Sequence, residues 1–236
     1  MSKTFADHVI AFNEQLSFDA VLPAGIRVMN PFREQAGVMD VMQQFYKKYY
    51  GDRRRRRLIL GINPGRLGSG STGVPFTDTK RMQEVCGITI PGMKTHEPSS
   101  VFIYDVIAAY GGPAVFYQDL YIGSVCPLGF VSRTAGGKEV NYNYYDSKEL
   151  TKAALPLIVS SLERQLTFGL DREVCYVMGT GKNAVFFTQL NAEHGFFGEV
   201  VPLEHPRFVM QYKAKTKDLY VDKYLQAFAD VGPTGQ

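Results

Sequence analysis

The fold of this chain is decided by one stretch, Leu58-Ile59-Leu60-Gly61-Ile62-Asn63-Pro64-Gly65. Its apolar part, 58–62, has the length and composition of a short buried strand. Asn63 and the Pro-Gly pair after it then predict a tight turn, because these residues favour turn geometry. A polar, glycine-rich segment follows and ends at Phe76. In open α/β sheets, ligands bind outside the carboxyl ends of the strands. We therefore expect Asn63 at a functional edge, with Phe76 returning to the same pocket.

Helical and strand patterns alternate along the rest of the chain. Apolar and aromatic residues recur at helical spacing between Val38 and Tyr49, and strand patterns lie at 120–126, 174–178 and 200–203. Strands that alternate with helices indicate a parallel sheet with right-handed crossovers. Further helices are predicted from Ser99 or Ser100 to Tyr110, from a capping box at Asp146 and Glu149 with a kink at Pro156, from Gly181, and from Tyr220 to Phe228.

Length and composition predict a single domain over residues 1–236. No window approaches the ~18 apolar residues that span a bilayer, and the N-terminus lacks the apolar region of a signal peptide. We therefore expect a soluble cytoplasmic monomer that makes no membrane contact. The net charge of +3 permits nucleic-acid binding without requiring it. Cys86, Cys126 and Cys175 have no zinc or iron–sulfur spacing, so buried reduced thiols, no metal and no cofactor are expected.

The loops that follow the predicted strands should meet at one edge of the sheet. They carry amides, an imidazole, an aromatic ring and a basic glycine turn, but no paired acid and base. The polar loop after the second strand runs through Asn141 and Asn143 and leaves two candidate amides open. The residues collected at this edge are Asn63, Phe76, Asn141, Asn143, Gly179, Thr180, Gly181, Lys182 and His205.

These side chains suit a flat heterocycle. Asn63 is no general base, because an amide does not accept a proton usefully, but it can orient water or substrate. His205 can donate a hydrogen bond to charge that develops on a leaving group. Phe76 can stack on a planar ring, while Asn141 offers a donor and an acceptor to its edge. That pair matches N3–H and O4 of uracil and leaves cytosine with unpaired polar groups.

Four motifs in order resemble the single-strand-selective monofunctional uracil-DNA glycosylases, within the uracil-DNA glycosylase superfamily. Gly61 to Gly65, with Thr72-Gly73-Val74-Pro75-Phe76, resembles the first motif of that family and has the same Asn-to-Phe spacing. Cys126 to Phe130 resembles the segment before the base-recognising Asn. Gly179-Thr180-Gly181 resembles the phosphate-contacting turn, and His205-Pro206 the start of the second catalytic motif. One such motif is weak evidence, but four in order are strong.

The resemblance implies a three-layer α/β/α fold with a central four-stranded parallel sheet. It also implies that a damaged base is flipped out of DNA and its N-glycosidic bond hydrolysed, without a Schiff-base lysine. This reaction would start base excision repair, a function close to the nucleoid. The implied roles are water positioning by Asn63, leaving-group stabilisation by His205, base binding by Ile62, Gly65, Phe76 and Asn141, and DNA binding by Gly179, Thr180, Gly181 and Lys182.

The chain departs from the family pattern in two places, which indicates a divergent bacterial-type branch. The loop from Phe130 to Asn141 is longer than usual, so Asn143 rivals Asn141 as base reader. After His205-Pro206, Arg207 and Phe208 replace the usual turn, and we predict them as the DNA wedge. These departures leave the preferred base open among uracil and other deaminated or oxidised bases.

Three features of the sequence allow other interpretations. The run Arg53 to Arg57 lies at the amino end of the first strand, away from the site, and is interpreted as a solvated charge run. Residues 68–73 spell a dinucleotide-binding pattern, and Gly181-Lys182 resembles part of a P-loop, but neither joins a strand directly to a helix with the full motif. A nucleotide-cofactor enzyme is therefore the weaker alternative. A non-catalytic nucleic-acid-binding module on the same scaffold is the other alternative.

Overall fold

The computed structural model describes residues 2–230. The tail 232–236, for which the sequence suggests fraying, lies outside the described residues. The strands are β1 (Ile26–Met29), β2 (Arg56–Gly61), β3 (Leu120–Ser124), β4 (Gly129–Arg133), β5 (Glu139–Tyr142), β6 (Leu170–Met178) and β7 (Glu199–Leu203). The helices are α1 (Phe5–Gln15), α2 (Pro31–Glu34), α3 (Val38–Tyr49), α4 (Ser69–Thr72), α5 (Thr79–Glu84), α6 (Pro98–Ala109), α7 (Pro113–Asp119), α8 (Lys148–Leu166), α9 (Lys182–His194), α10 (Pro206–Tyr212) and α11 (Lys217–Ala229).

A four-stranded parallel sheet forms the centre of the molecule. Its strand order is β3-β2-β6-β7, and every neighbouring pair runs parallel. All six residues of β2 are buried, as expected for a central strand covered by helices on both faces. The predicted α/β fold with four parallel strands is confirmed. The carboxyl ends of the strands meet at one edge, where the turns after β2 and β7 begin.

A second, three-stranded antiparallel sheet corrects the sequence prediction. Its order is β1-β4-β5, with β1 paired to β4 and β4 to β5. The stretch after β3 was expected to be a long polar loop, but it forms the hairpin of β4 and β5. Asn141 therefore lies on a strand, opposite Val131 in the register. The hairpin brings it to the edge of the parallel sheet.

The arginine run is only partly solvated, which is a second correction. Arg53, Arg54 and Arg55 are not buried, but Arg56 is 0% and Arg57 3% exposed, and both belong to β2. The Arg56 guanidinium bonds Asp52 at 2.9 and 3.0 Å. It also lies over the rings of Phe5 and Tyr50, 4.7 and 4.8 Å from their centroids.

Arg57 is held by different partners. Its Nη1 donates to the Phe228 carbonyl at 2.6 Å and to the Tyr176 hydroxyl at 3.2 Å. These partners come from β6 and α11, far along the chain. Their hydrogen bonds replace some of those that water would make to the guanidinium, whose charge is otherwise costly to bury.

All five predicted helices are present, as α3, α6, α8, α9 and α11, but the capping residues of α6 and α8 differ from the prediction. Proline at the first position starts α6, with Glu97 in the N-cap position, ahead of the predicted Ser99 or Ser100. Ser147, rather than Asp146, caps α8 through a 3.1 Å bond from the Leu150 N–H. The Asp146 carboxylate instead accepts from the Asn143 backbone at 2.8 Å. Helix α8 runs from Lys148 to Leu166 with Pro156 inside it.

The remaining sequence expectations concern the cysteines, the glycine run and the membrane. Cys86, Cys126 and Cys175 are free and buried, as predicted. The glycine run 68–73 forms the four-residue helix α4, closed by Gly73, rather than a bridge from a strand to a long helix. Within residues 2–230, no single helix has the length and apolar content to cross a membrane. Helices α6 and α7 have the required length and apolar content only when taken together, and the chain bends by 90° between them.

Candidate active site

A cavity of about 610 Å³ opens at the carboxyl edge of the parallel sheet. It is lined from the turn after β2, the end of β5, the start of α6 and helix α10. A second cleft, of about 530 Å³, lies between α1 and α8 and shares no lining residue with it. The sequence-predicted residues that line the first cavity are Ile62, Asn63, Gly65, Phe76, Asn141, Asn143, His205, Arg207 and Phe208.

The Asn63 amide is fixed by backbone groups at the end of β5. Its Oδ1 accepts a hydrogen bond from the Tyr144 N–H at 3.1 Å, and its Nδ2 donates to the Tyr142 carbonyl at 3.3 Å. These two bonds define which amide atom is oxygen. An amide oxygen has two lone pairs, so one remains available to a water molecule in the cavity. Asn63 is thus partly buried, oriented and still able to bind.

His205 is held as a neutral imidazole. Burial and, to a smaller extent, the nearby Arg207 cation together lower the pKa of His205 to about 4. The Nδ1 atom accepts the Arg207 backbone N–H at 3.1 Å, which also caps α10. In the neutral ring the proton therefore resides on Nε2. His205 offers one N–H donor, and its ring centroid lies 5.8 Å from that of Phe76.

Phe76 reaches the cavity through an unusual backbone conformation. Its φ of 50° lies in the left-handed region, which bulky residues rarely adopt. The conformation folds the ring against the end of β2, where a Cβ on Gly61 would lie only 2.9 Å from Phe76 Cε2. Glycine at that position is what permits the close approach of ring and strand.

The two candidate base readers differ in orientation. Asn141 Oδ1 accepts the Arg66 N–H at 3.0 Å, and its Nδ2 lies 3.4 Å from where a Cβ of Gly65 would be. Asn143 is tied to Asp146 instead, through its backbone N–H at 2.8 Å and its Nδ2 at 3.5 Å. Both line the cavity. Asn141 keeps its amide donor beside the cavity wall, whereas the Nδ2 of Asn143 points to a carboxylate.

The predicted DNA-contacting residues fall into two groups. Gly179, Thr180, Gly181 and Lys182 do not line the cavity but border it. A Cβ on Gly179 would lie 3.9 Å from that of His205, and the Lys182 ammonium lies 5.9 Å from the ring centroid of Tyr145, a lining residue.

The second group forms the rim on α10. Arg207 and Phe208 line the cavity, and both are exposed. The Phe208 ring is 41% exposed and packs 5.5 Å from Tyr212, which is 65% exposed and was not predicted as a site residue. The rim therefore presents two aromatic rings and a guanidinium to solvent.

An acidic residue that the sequence analysis missed also lines the cavity. Glu97 precedes α6, and its carboxyl lies over the turn from Gly65 to Gly68. Glu97 thus shares the cavity with His205, although among the described residues no salt bridge joins these two side chains. The Glu97-Pro98 pair could have indicated the position of Glu97, because proline favours the first position of a helix and the residue before it is then the N-cap.

The fold agrees with comparisons to known proteins. A profile of the Uracil DNA glycosylase superfamily matches residues 48–229. The chain belongs to the uracil-DNA glycosylase superfamily. Membership makes it a DNA glycosylase, a hydrolase of N-glycosyl compounds in base excision repair.

A solved structure narrows the type. The chain is similar to SMUG2 of Pedobacter heparinus, with 53% sequence identity, a TM-score of 0.95, and coverage of 98% of this chain and 99% of that one. This match confirms the resemblance that the sequence motifs indicated, so this glycosylase is of the SMUG type. None of the curated proteins matches the chain.

Proposed function

We propose that this glycosylase flips uracil, or a related deaminated or oxidised base, out of DNA and hydrolyses its N-glycosidic bond, the first step of base excision repair. One observation carries the proposal: Asn63, Phe76 and His205, which are far apart in sequence, line the same cavity. The bond between C1′ and the base nitrogen breaks, and the water oxygen bonds to C1′. The base anion finally takes up the proton that the water loses.

Asn63 orients the attacking water. The free lone pair of its Oδ1 accepts a water hydrogen, while the backbone of Tyr142 and Tyr144 prevents the amide from turning. An amide is too weak a base to remove the proton, so its contribution is alignment of the water with C1′. Another residue must therefore stabilise the negative charge that develops on the base as the N-glycosidic bond breaks.

His205 provides that stabilisation. Its Nε2–H donates to the uracil O2, where negative charge accumulates as the bond breaks. A neutral donor with a pKa near 4 keeps this proton, since the ring is already deprotonated at Nδ1 at ordinary pH. Phe76 stacks on the flipped ring, and Asn141 donates from Nδ2 to its carbonyl edge. Gly65 and Ile62 form the adjoining wall.

DNA is held around the mouth of the cavity. Helix α9 starts at Lys182 without a side-chain cap, so its first backbone N–H groups and the turn 179–181 suit a phosphate. Arg207 and Phe208 are proposed to fill the gap that the flipped base leaves. The chain needs no lysine nucleophile for this chemistry, so we propose a monofunctional glycosylase that leaves the abasic strand intact.

The test is base release from oligonucleotides that carry one uracil, hydroxymethyluracil, xanthine or hypoxanthine, as single strands and as duplexes. We expect abasic sites that alkali converts to strand breaks, with no breaks before alkali and no borohydride-trapped complex. DNA binding without release of any of these bases would support a non-catalytic module instead. A trapped covalent complex would contradict the monofunctional assignment.

A further inference from the structure

Glu97 is the carboxylic acid among the cavity-lining residues, and the mechanism above does not use it. Its main chain is fixed, because its N–H donates to Asp78 Oδ2 at 2.8 Å just before α6 begins. Among residues 2–230, its carboxyl forms no salt bridge with a basic side chain. It therefore keeps hydrogen-bonding capacity for a ligand in the cavity.

The Glu97 carboxyl and the Asn141 amide flank one point above Gly65. A Cβ at Gly65 would lie 3.3 Å from Glu97 Oε1 and 3.4 Å from Asn141 Nδ2. Glycine leaves this point empty, so both polar atoms remain accessible from the cavity. The Oδ1 of Asn141 already accepts the Arg66 N–H at 3.0 Å, which commits this amide to presenting its donor. The second half of base recognition, a hydrogen-bond acceptor, must then come from a neighbour.

We propose that Glu97 is a specificity-determining residue that accepts the imino N–H of the flipped base, while Asn141 Nδ2 donates to the adjacent carbonyl. The proposal rests on the function proposed above. Uracil presents an N3–H beside O4, so it matches this acceptor and donor. Cytosine presents a bare ring nitrogen and an amino group there, so it would face a carboxylate and an amide donor with the wrong polarity.

The charge environment of Glu97 makes this recognition sensitive to pH. Burial and, second, the neighbouring Asp78 carboxylate raise the pKa of Glu97 to about 7. The Ser100 hydroxyl and, more weakly, Arg207 act in the opposite direction. Only the ionised carboxylate is purely an acceptor. The other titratable groups near this end of the cavity are His205, and Arg81 and His96, which pair with Asp78 at 3.1 and 3.5 Å.

The test combines Glu97 variants with a modified base. Glu97→Ala removes the acceptor, and N3-methyluracil removes the imino hydrogen. In single-turnover release from single-stranded DNA, we expect Glu97→Ala to slow uracil release by on the order of 10- to 100-fold, the loss of one charge-assisted hydrogen bond. N3-methylation should slow the wild type at least as much but hardly slow Glu97→Ala further, because both changes remove the same contact.

Glu97→Gln keeps the size and a neutral acceptor, so its loss should be smaller, about 10-fold. Wild-type uracil release should rise as the pH increases through about 7, as the Glu97 carboxyl ionises, and Glu97→Gln should lack this rise. Glu193→Gln is the matched control, since its exposed side chain on α9 lies outside the cavity lining. Thermal unfolding of each variant verifies that the chain folds.

The outcomes separate this inference from the proposed function. If the wild type releases uracil but the two losses simply add, or if Glu97→Ala releases uracil at the wild-type rate, Glu97 does not read the base and the inference is wrong. If the rate of uracil release by Glu97→Gln also increases as the pH rises through about 7, the inference is contradicted as well. If the wild type releases no base at all, the proposed function itself fails.

Discussion

The two sheets contribute different things to the cavity. The parallel sheet supplies Asn63 and His205 directly, each as the second residue after the end of its strand, β2 or β7. The antiparallel sheet supplies Asn141, and the backbone at the end of β5 and just after it anchors the Asn63 amide through Tyr142 and Tyr144. The proposed chemistry thus belongs to the parallel sheet, while orientation and base reading come from the antiparallel one. Loss of a parallel-sheet residue should abolish turnover, and loss of an antiparallel-sheet residue should weaken it or change selectivity.

The largest effect is expected at the end of β2. Asn63→Ala removes the only proposed ligand of the water and should slow base release by on the order of 10³-fold, because alignment of the nucleophile is lost. DNA affinity should stay near that of the wild type, since Asn63 touches no phosphate in the proposed mechanism. Single-turnover release and filter binding measure the two quantities. Release near the wild-type rate would remove Asn63 from the mechanism.

The second effect concerns the end of β7. His205→Ala removes the donor to the leaving group and should slow release by ~10²–10³-fold. The variant should also respond differently to acid. The pKa of His205 is about 4 in the folded chain against an ordinary 6.5, so the unfolded chain binds more protons between these values.

The free energy of unfolding of the wild type therefore falls as the pH drops from 6.5 towards 4. His205→Ala should lack this component of the decline, which urea unfolding at several pH values measures. Parallel curves for the two proteins would contradict a buried neutral imidazole, and an unchanged release rate would contradict its role as donor.

On the antiparallel side, the two amides provide a matched pair. Asn141→Ala should slow uracil release about 10-fold through loss of a hydrogen bond to the base. Asn143→Ala should have little effect on release, because that amide bonds Asp146. The ratio of the two single-turnover rates decides which amide reads the base. Equal losses in both variants, or the larger loss in Asn143→Ala, would reverse the assignment.

A smaller effect is expected at the rim, which belongs to neither sheet. Arg207→Ala should slow release from duplex several-fold more than release from single strands, because only a duplex needs its gap filled after flipping. Rates on matched single-stranded and duplex uracil substrates give the comparison. Equally small losses on both would remove Arg207 from the wedge. His205→Ala serves as the reference, since it should slow release equally on single-stranded and duplex DNA.

The smallest effect is expected at the opposite end of the parallel sheet. Neutralising Arg53, Arg54 and Arg55 should barely alter the salt dependence of DNA binding, because they lie at the amino end of β2, away from the cavity. A fall of several units in the slope of log affinity against log salt concentration would mean that DNA contacts this end as well. Arg56 and Arg57 are left unchanged in this variant because they are buried.

The parallel sheet could be predicted from the sequence because its signals are local. Each strand contains a short apolar run. The Pro-Gly turn after β2 marks where its run ends, so Asn63 could be assigned to a strand end. The antiparallel sheet could not, because β5 alternates weakly in burial and its partners are β4 and, beyond it, β1, more than 90 residues earlier in the chain. The local hairpin of β4 and β5 becomes a three-stranded sheet only when the distant β1 pairs with β4, and no local sequence pattern predicts that pairing.

Two other failures have the same origin. Arg56 and Arg57 had the pattern of a solvated run, but inside the fold Arg56 donates to the Tyr117 carbonyl and Arg57 to the Phe228 carbonyl, both distant in sequence. Glu97 reaches the cavity because α6 docks beside the turn after β2, which no local pattern encodes. Proposed catalytic residues at strand ends were thus accessible to sequence reasoning, whereas groups brought in by docking were not.

The left-handed backbone of Phe76 has a consequence for how the cavity meets its ligand. Hydroxyls outside the cavity lining bond the chain around Phe76: Thr72 Oγ1 donates to the Thr77 carbonyl at 2.6 Å, and Thr77 Oγ1 lies 3.1 Å from the Tyr104 hydroxyl. The ring is thus set in advance, and an arriving nucleobase spends none of its affinity on ordering it. The buried Thr72 hydroxyl, which is not part of the cavity lining, should therefore contribute to base affinity by keeping the Phe76 backbone in place.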